Sequence, residues 1–181
     1  MNAGLIGVIL AFIPALIANP LAVILGGGPP IDGGKKIGRY RIFGDGKTWR
    51  GLLGGGSAGA VITILFNHIV SPFINIYPED NTAYVVILSL SFGALIGDIM
   101  ASFFKRRLGR ERGARTPLID QLDFVVGALT ITFLIDHRWL IGTYFSGDGW
   151  IALIILILGI PLLHRIVNII GYKLGFKKEP W

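Results

Sequence analysis

The chain has 181 residues, 52% hydrophobic and 15% charged, with no cysteine and a net charge of +6, and its mean hydropathy is +0.66. Ordinary soluble domains are about a quarter charged, so a soluble body is disfavoured, and the length suits a single domain over 1–181. The absence of cysteine excludes disulfides, iron–sulfur clusters, thiolate zinc and a cysteine nucleophile, and a nucleic-acid partner would need a basic face on a soluble body.

No Asp, Glu, Lys or Arg occurs in 1–31, 51–78, 81–97, 124–135 or 149–164. A spanning helix needs about 20 mostly apolar residues, so spans are predicted near 2–25, 52–71, 83–104, 120–137 and 149–171, the fourth being short. The first has no basic segment before its apolar run and reads as an uncleaved span rather than a signal peptide. The expected fold is thus an all-α integral membrane protein with five transmembrane helices.

Basic residues fall in alternate connections. The first holds Lys35, Lys36, Arg39, Arg41, Lys47 and Arg50, the third holds Lys105, Arg106, Arg107, Arg110, Arg112 and Arg115, and the C-terminal end holds Arg165, Lys173, Lys177 and Lys178. Only Arg138 lies elsewhere, so the positive-inside rule places the N-terminus outside and the C-terminus in the cytoplasm. The two long cytoplasmic loops are Gly-rich and polar, as loops carrying chemistry are, while the external connections at 72–82 and 137–148 look inert. No internal repeat is present, which argues against a transporter built from inverted repeats.

Gly51, Gly55 and Gly59, and then Gly93 and Gly97, form small-residue stripes that allow close helix approach. GGGSAG at 54–59 matches a dinucleotide fingerprint only literally, because it lacks a preceding strand and lies in a span. GDGKT at 44–48 resembles a P-loop but has Arg41 where glycine is needed. Gly33, Gly34, Gly44 and Gly46 still offer backbone N–H groups to an anion beside Lys35, Lys47 and Thr48. A basic loop resting on anionic headgroups explains them equally well. His68, His137 and His164 show no ligand spacing, and Trp139, Trp150 and Trp181 suit the membrane interface. Trp49, in the first cytoplasmic loop, suits the bilayer surface or a nucleobase.

Asp98 lies near the cytoplasmic end of the third span, where a carboxylate is costly and functional by default. Ser102 and Lys105 follow at i+4 and i+7 on the same face. Asp120 and Asp123 open the fourth span at i, i+3, joined to the third by one loop. Three converging carboxylates need a metal, a proton or a basic partner, and an all-oxygen site favours Mg²⁺, one or two ions, shared with phosphates. With lysine and arginine around it, that set reads as phosphoryl or nucleotidyl transfer at the membrane surface. The plainer reading makes Asp120 and Asp123 helix-capping residues after Pro117 and pairs Asp98 with Arg106 or Arg107.

The segment GDIMASFFKRRLGRERGARTPLIDQLDF at 97–124 resembles the CTP-dependent cytidylyltransferases that activate membrane lipids, through Ser102, Lys105, Arg106, Pro117, Asp120 and Asp123. Phosphatidate enzymes of that group usually carry Arg after the first Asp and a Gly-rich turn before it, where this chain has Gln121 and TPLI. Together with PIDGGKK at 30–36 and GDGKTWRG at 44–51, DQLDF resembles the archaeal CDP-archaeol synthases. The resemblance implies a reaction of CTP with 2,3-bis-O-(geranylgeranyl)glycerol 1-phosphate in the bilayer, giving a CDP-lipid and pyrophosphate with Mg²⁺. On that reading Asp98, Asp120 and Asp123 hold the metal, Lys105 and Arg106 hold lipid or pyrophosphate oxygens, and Lys35 and Lys47 steady the triphosphate. Asn19 orients the base or caps a helix broken at Pro20, and Asp32 contacts cytosine or ribose. The prenyl chains stay in the bilayer against an apolar groove, and self-association stays open. The alternatives are a phosphatidate cytidylyltransferase, a CTP-dependent polyprenol kinase, a small cation channel or a lipid-binding scaffold.

Overall fold

The structure is a computed structural model that describes residues 4–110 and 119–175. Arg112, Arg115, Pro117, Lys177, Lys178 and Trp181 lie outside the described residues, as does the side chain of His164. Five helices are long and apolar enough to cross a membrane: Gly4–Leu25, Trp49–Val70, Thr82–Arg107, Asp120–Tyr144 and Gly149–Lys173.

The first is two helices, α1 (Gly4–Leu10) and α2 (Ile13–Leu25), where the sequence reading has one. The break falls at Phe12 (φ −90°, ψ −2°) because Pro14, in the first turn of α2, cannot donate to the carbonyl one turn back. Pro20 does not break α2, so Asn19 caps nothing. Tyr77, from the connection at 72–82, donates its hydroxyl to the Ala11 carbonyl at 2.9 Å and so satisfies the break.

Between α2 and α3 (Trp49–Val70) a small antiparallel hairpin, β1 (Lys36–Ile37) and β2 (Tyr40–Arg41), departs from the all-helical expectation. The central helix is α4 (Thr82–Arg107), packed against α2, α3 and α5 (Ile119–Tyr144). The last, α6 (Gly149–Lys173), packs on α5 and α1. α5 runs past the predicted end at residue 137. Asp136 is non-helical (φ −142°, ψ 78°), and its Oδ1 accepts from the Trp139 N–H at 3.0 Å, capping a second helical segment. The charged triplet at 136–138 therefore marks a kink and not a terminus.

The end of the bundle opposite the hairpin is packed with aromatic side chains. Tyr77 stacks on Trp139 (6.2 Å between centroids), and Tyr144 meets both Trp139 and Phe12 edge-on. Trp139 is 7% exposed, so it is a core residue and not an interfacial anchor. Trp150 and Trp49 are exposed.

Glycine contacts set the helix spacing. A methyl group on Gly55 would lie 2.7 Å from the Ala22 Cα, so α3 and α2 touch backbone to backbone. A methyl group on Gly97 would lie 2.8 Å from the Gly127 Cα, which brings α4 and α5 equally close. A hydrogen bond from Ser91 to the Gly56 carbonyl (2.8 Å) ties α4 to α3, and one between Ser89 and Thr132 (2.9 Å) ties α4 to α5. Leu53, Leu65, Ile69, Leu134, Leu158 and Leu162 point outward and exposed, as lipid-facing side chains do.

Candidate active site

The loop from Gly26 to Thr48 is built around Asp32. Its carboxylate takes Arg41 in a two-point contact, Nη2 to Oδ1 at 2.5 Å and Nε to Oδ2 at 3.2 Å. It also accepts the backbone N–H groups of Gly34, Phe43 and Gly44 at 3.0–3.1 Å. Burial pushes this carboxyl up, but the Arg41 guanidinium and the three N–H groups override it and hold it well below the usual carboxylate range. Gly34 can lie beside Asp32 because it adopts φ 82°, a backbone conformation open to glycine.

The structure places three of the residues named from the sequence in this loop. Asp32 is buried, and its carboxylate is engaged in holding the loop. The Gly34 N–H is spent on Asp32 and not on an anion, and Lys35 is exposed and away from the cavity described below.

Arg107 fastens the loop to α4. Its guanidinium donates to the carbonyls of Ile37 (3.1 Å) and Arg41 (2.8 Å) and lies over the Phe103 ring. Phe43 packs on Phe103 from the loop side. The loop therefore returns into α3 at a fixed place, where Thr48 caps the helix by accepting the Gly51 N–H at 3.1 Å.

That return closes a cavity of about 700 Å³ at the loop end of the bundle. Asp98 of α4, Asp120 and Asp123 of α5, Lys105, and Lys47 and Thr48 of the loop all line it. Lys47 forms an ion pair with Asp98, and Lys105 one with Asp120. Lys105 also stands 3.9 Å from Asp123, whose side chain is nearly buried. The pairing of Asp98 with Arg106 or Arg107 is thus replaced by a pairing with Lys47. The Gly97–Gly127 contact explains the convergence, because Asp98 follows Gly97 and Asp123 lies one turn before Gly127.

The ammonium groups of Lys47 and Lys105 thus face the carboxylates of Asp98, Asp120 and Asp123, and Asp45, paired with Arg41, stands at the same wall. The donors are all oxygen, which suits a hard divalent ion. Among the described residues, however, no three acidic or histidine side chains are grouped around one ion position. A metal here would draw on one or two of the carboxylates together with oxygens from a substrate.

Like Asp32, Gly34 and Lys35, two further residues named from the sequence lie off the cavity wall. Ser102 shares the face of Asp98 and Lys105 but is buried outside the cavity. Arg106 turns to the Arg110 carbonyl and lies against Gly44. Asn19 does line the cavity, and so does Asn168 of α6, which sequence reasoning passed over. Its only signal was an uncharged amide near the end of an apolar run. Leu16, Leu95, Phe124 and Ile160 are among the apolar residues of the wall.

The family model described as CarS-like CDP-archaeol synthase matches residues 2–181. A CDP-archaeol synthase of Methanosarcina barkeri is 46% identical over 179 residues, covering 93% of this chain and 99% of that protein. One from Halorubrum lacusprofundi is 43% identical over 173 residues, covering 94% of each. Among solved structures, an intramembrane enzyme for archaeal membrane lipid biosynthesis superposes with a TM-score of 0.70 at 34% identity, over 92% of this chain and 95% of the other. With matches spanning nearly the whole length, this chain belongs to the CDP-archaeol synthase family.

Proposed function

We propose that the chain transfers CMP from CTP to 2,3-bis-O-(geranylgeranyl)-sn-glycerol 1-phosphate, forming unsaturated CDP-archaeol and pyrophosphate. The observation that carries this reading is a single cavity in which three carboxylates and two lysines at the loop end give way to an apolar wall. Charged groups suit the triphosphate and the acceptor phosphate, and the apolar wall suits the first carbons of a lipid.

The acceptor phosphate oxygen attacks the α-phosphorus, a new P–O bond forms, and the bond to the bridging α,β-oxygen breaks to release pyrophosphate. No covalent enzyme intermediate is needed, so the chain contributes in-line positioning and charge neutralisation. Asp98, Asp120 and Asp123 are the residues that would hold Mg²⁺, which when bound neutralises charge developing on the phosphates. Lys47 and Lys105 already reach those carboxylates. With a nucleotide in the cavity, their ammonium groups would turn to its phosphate oxygens. Because Lys47 arrives on the loop clamped by Asp32 and Arg107, the same loop positions the nucleotide.

The orientation follows from charge: the cavity opens at the basic end of the bundle, which we place in the cytoplasm. The test is turnover by the purified full chain in detergent with Mg²⁺, CTP and the geranylgeranyl ether lipid phosphate, beside a phosphatidate control and an EDTA blank. CDP-lipid and pyrophosphate, lost with EDTA and favoured by the ether lipid, are expected. Release of CDP would identify a kinase instead, and loss of product with neither chelator nor lipid change would refute the metal or the substrate assignment in turn.

A further inference from the structure

The carboxylates of the cavity already hold cations, and these belong to the chain itself. Lys47 of the loop pairs with Asp98 of α4, and Lys105 of α4 pairs with Asp120 of α5 while standing 3.9 Å from Asp123. All five side chains line the same cavity. They keep only 7–34% of their surface exposed, so salt screens these charges less than it screens a pair in open solution. A divalent ion that takes oxygens from Asp98 or Asp120 therefore competes with an ammonium group.

Lys47 is anchored by its backbone and mobile only beyond it. Its N–H donates to the Gly44 carbonyl at 3.2 Å, and its own carbonyl accepts the Ile31 N–H at 2.8 Å. Gly44 is in turn bound to the Asp32 carboxylate, and the hairpin to Arg107. What remains free to turn is the side chain, a flexible four-carbon stem that ends in a point charge. The ammonium can thus pass from Asp98 to another anion in the cavity while the loop stays where it is.

A divalent ion and a triphosphate act on such a pair in opposite senses. The bare ion is drawn to the carboxylate and repelled by the ammonium, whereas the bare triphosphate is drawn to the ammonium and repelled by the carboxylate. Together they resolve the conflict, because the nucleotide draws the lysine away and the ion covers the carboxylate left behind. Linkage then requires each to raise the affinity of the other by the same factor. We propose that Lys47 is a placeholder cation, which occupies Asp98 until a nucleotide takes its ammonium and so makes the metal-bound nucleotide, rather than the bare ion, the form that loads the site. Lys105 acts in the same way at Asp120. This rests on the cytidylyltransferase reading and deepens it, since it names the form of the nucleotide that the cavity accepts.

The experiment measures two equilibria separately on the full chain in detergent: Mn²⁺ binding without nucleotide, by electron paramagnetic resonance, and CTP binding in excess EDTA, by equilibrium dialysis. Lys47→Met keeps the length of the side chain and removes its charge. It is expected to tighten Mn²⁺ about tenfold and to weaken metal-free CTP about tenfold, within the usual range of such couplings. Lys47→Arg, which keeps the charge, is expected to hold Mn²⁺ off as the wild type does, and Lys36→Met, exposed and away from the cavity, to change neither constant. The opposite signs are decisive, because damage to the fold weakens both. If Lys47→Met melts well below wild type, Lys47→Gln is judged by the same two signs. Mn²⁺ bound no more tightly by the uncharged variant overturns the placeholder role, and tighter Mn²⁺ with unaltered CTP overturns the transfer of the ammonium to the nucleotide. Neither equilibrium depends on turnover, so wild-type protein without cytidylyl transfer refutes the parent reading, whereas active wild type whose uncharged variants fail these signs refutes this one alone.

Discussion

Replacing Asp32 by Asn preserves the shape of the side chain and removes its charge, leaving Arg41 without its counter-ion and placing an NH₂ group near backbone donors. Because the folded carboxyl sits below its ordinary value, its contribution is complete at neutral pH and disappears only as pH falls through the folded value. Wild-type order in the 30–48 loop is thus expected to persist down to about pH 4. Asp32→Asn loosens the loop at neutral pH, and its difference from wild type shrinks only in stronger acid; amide hydrogen exchange across the pH range reads both. Within the cavity, Asp123→Asn removes a nearly buried carboxylate and is expected to lower kcat on the order of 10²-fold or more, with the fold intact by melting temperature. Lys105→Ala frees Asp120 and Asp123 from their counter-ion and is expected to lower kcat/KM for CTP about ten- to a hundredfold while Mn²⁺ binding, followed by electron paramagnetic resonance, survives. That Asp98, Asp120 and Asp123 meet in one cavity beside Lys105 was legible in the sequence, because carboxylates at the edge of an apolar span are costly and need a reason. Asp32 was not, since in a loop a carboxylate is cheap and its role depends on backbone turns that composition does not encode. Asn168 was missed because an amide leaves no gap in a charge pattern.

At the level of helices, the site depends on one crossing. Gly93, Gly97 and Gly127 let α4 and α5 meet backbone to backbone just beside Asp98 and Asp123. A methyl group on Gly127 meets α4 backbone, which cannot swing aside as a side chain would. Gly127→Ala is therefore expected to cost about 1–3 kcal/mol and to reduce turnover beyond what the lost stability explains, because it parts the two carboxylate-bearing helices. A control at Gly142, where an added methyl group meets nothing within 4 Å, should leave both stability and turnover near wild type. Comparing melting temperature with kcat for the pair separates crossing geometry from general glycine effects. Spacing alone announced the stripes on α3 and α4, because four-residue periodicity survives in sequence. The partner of the α4 stripe did not announce itself: Gly127 has no second glycine one turn away on α5, and only the packed structure pairs it with Gly97. The break at Phe12 and the kink at Asp136 were hidden for a related reason. Hydropathy reports where a chain is apolar and is blind to where its helical hydrogen bonds stop.

For the molecule as a whole, the arrangement is polarised from end to end. One end is the aromatic plug of Phe12, Tyr77, Trp139 and Tyr144, which seals the bundle and leaves the cavity a single polar end. The other carries the hairpin, the Asp32 hub and the lysines that reach into the cavity. Charge alone dictated this division at the level of sequence, since the basic loops alternate with acidic or nearly neutral connections. A conducting channel would need polar groups through both halves, and the plug is built of aromatic rings instead. The orientation itself is testable without disturbing the site, because the chain has no cysteine and any introduced thiol is unique. Lys36 on the hairpin and Glu79 beside the plug are both exposed. With the basic end in the cytoplasm, Glu79→Cys is expected to react with a membrane-impermeant maleimide in intact cells, and Lys36→Cys only after the membrane is opened. The reverse pattern would put the cavity outside, away from cytoplasmic CTP, and would overturn the orientation together with the route by which the nucleotide reaches Lys47.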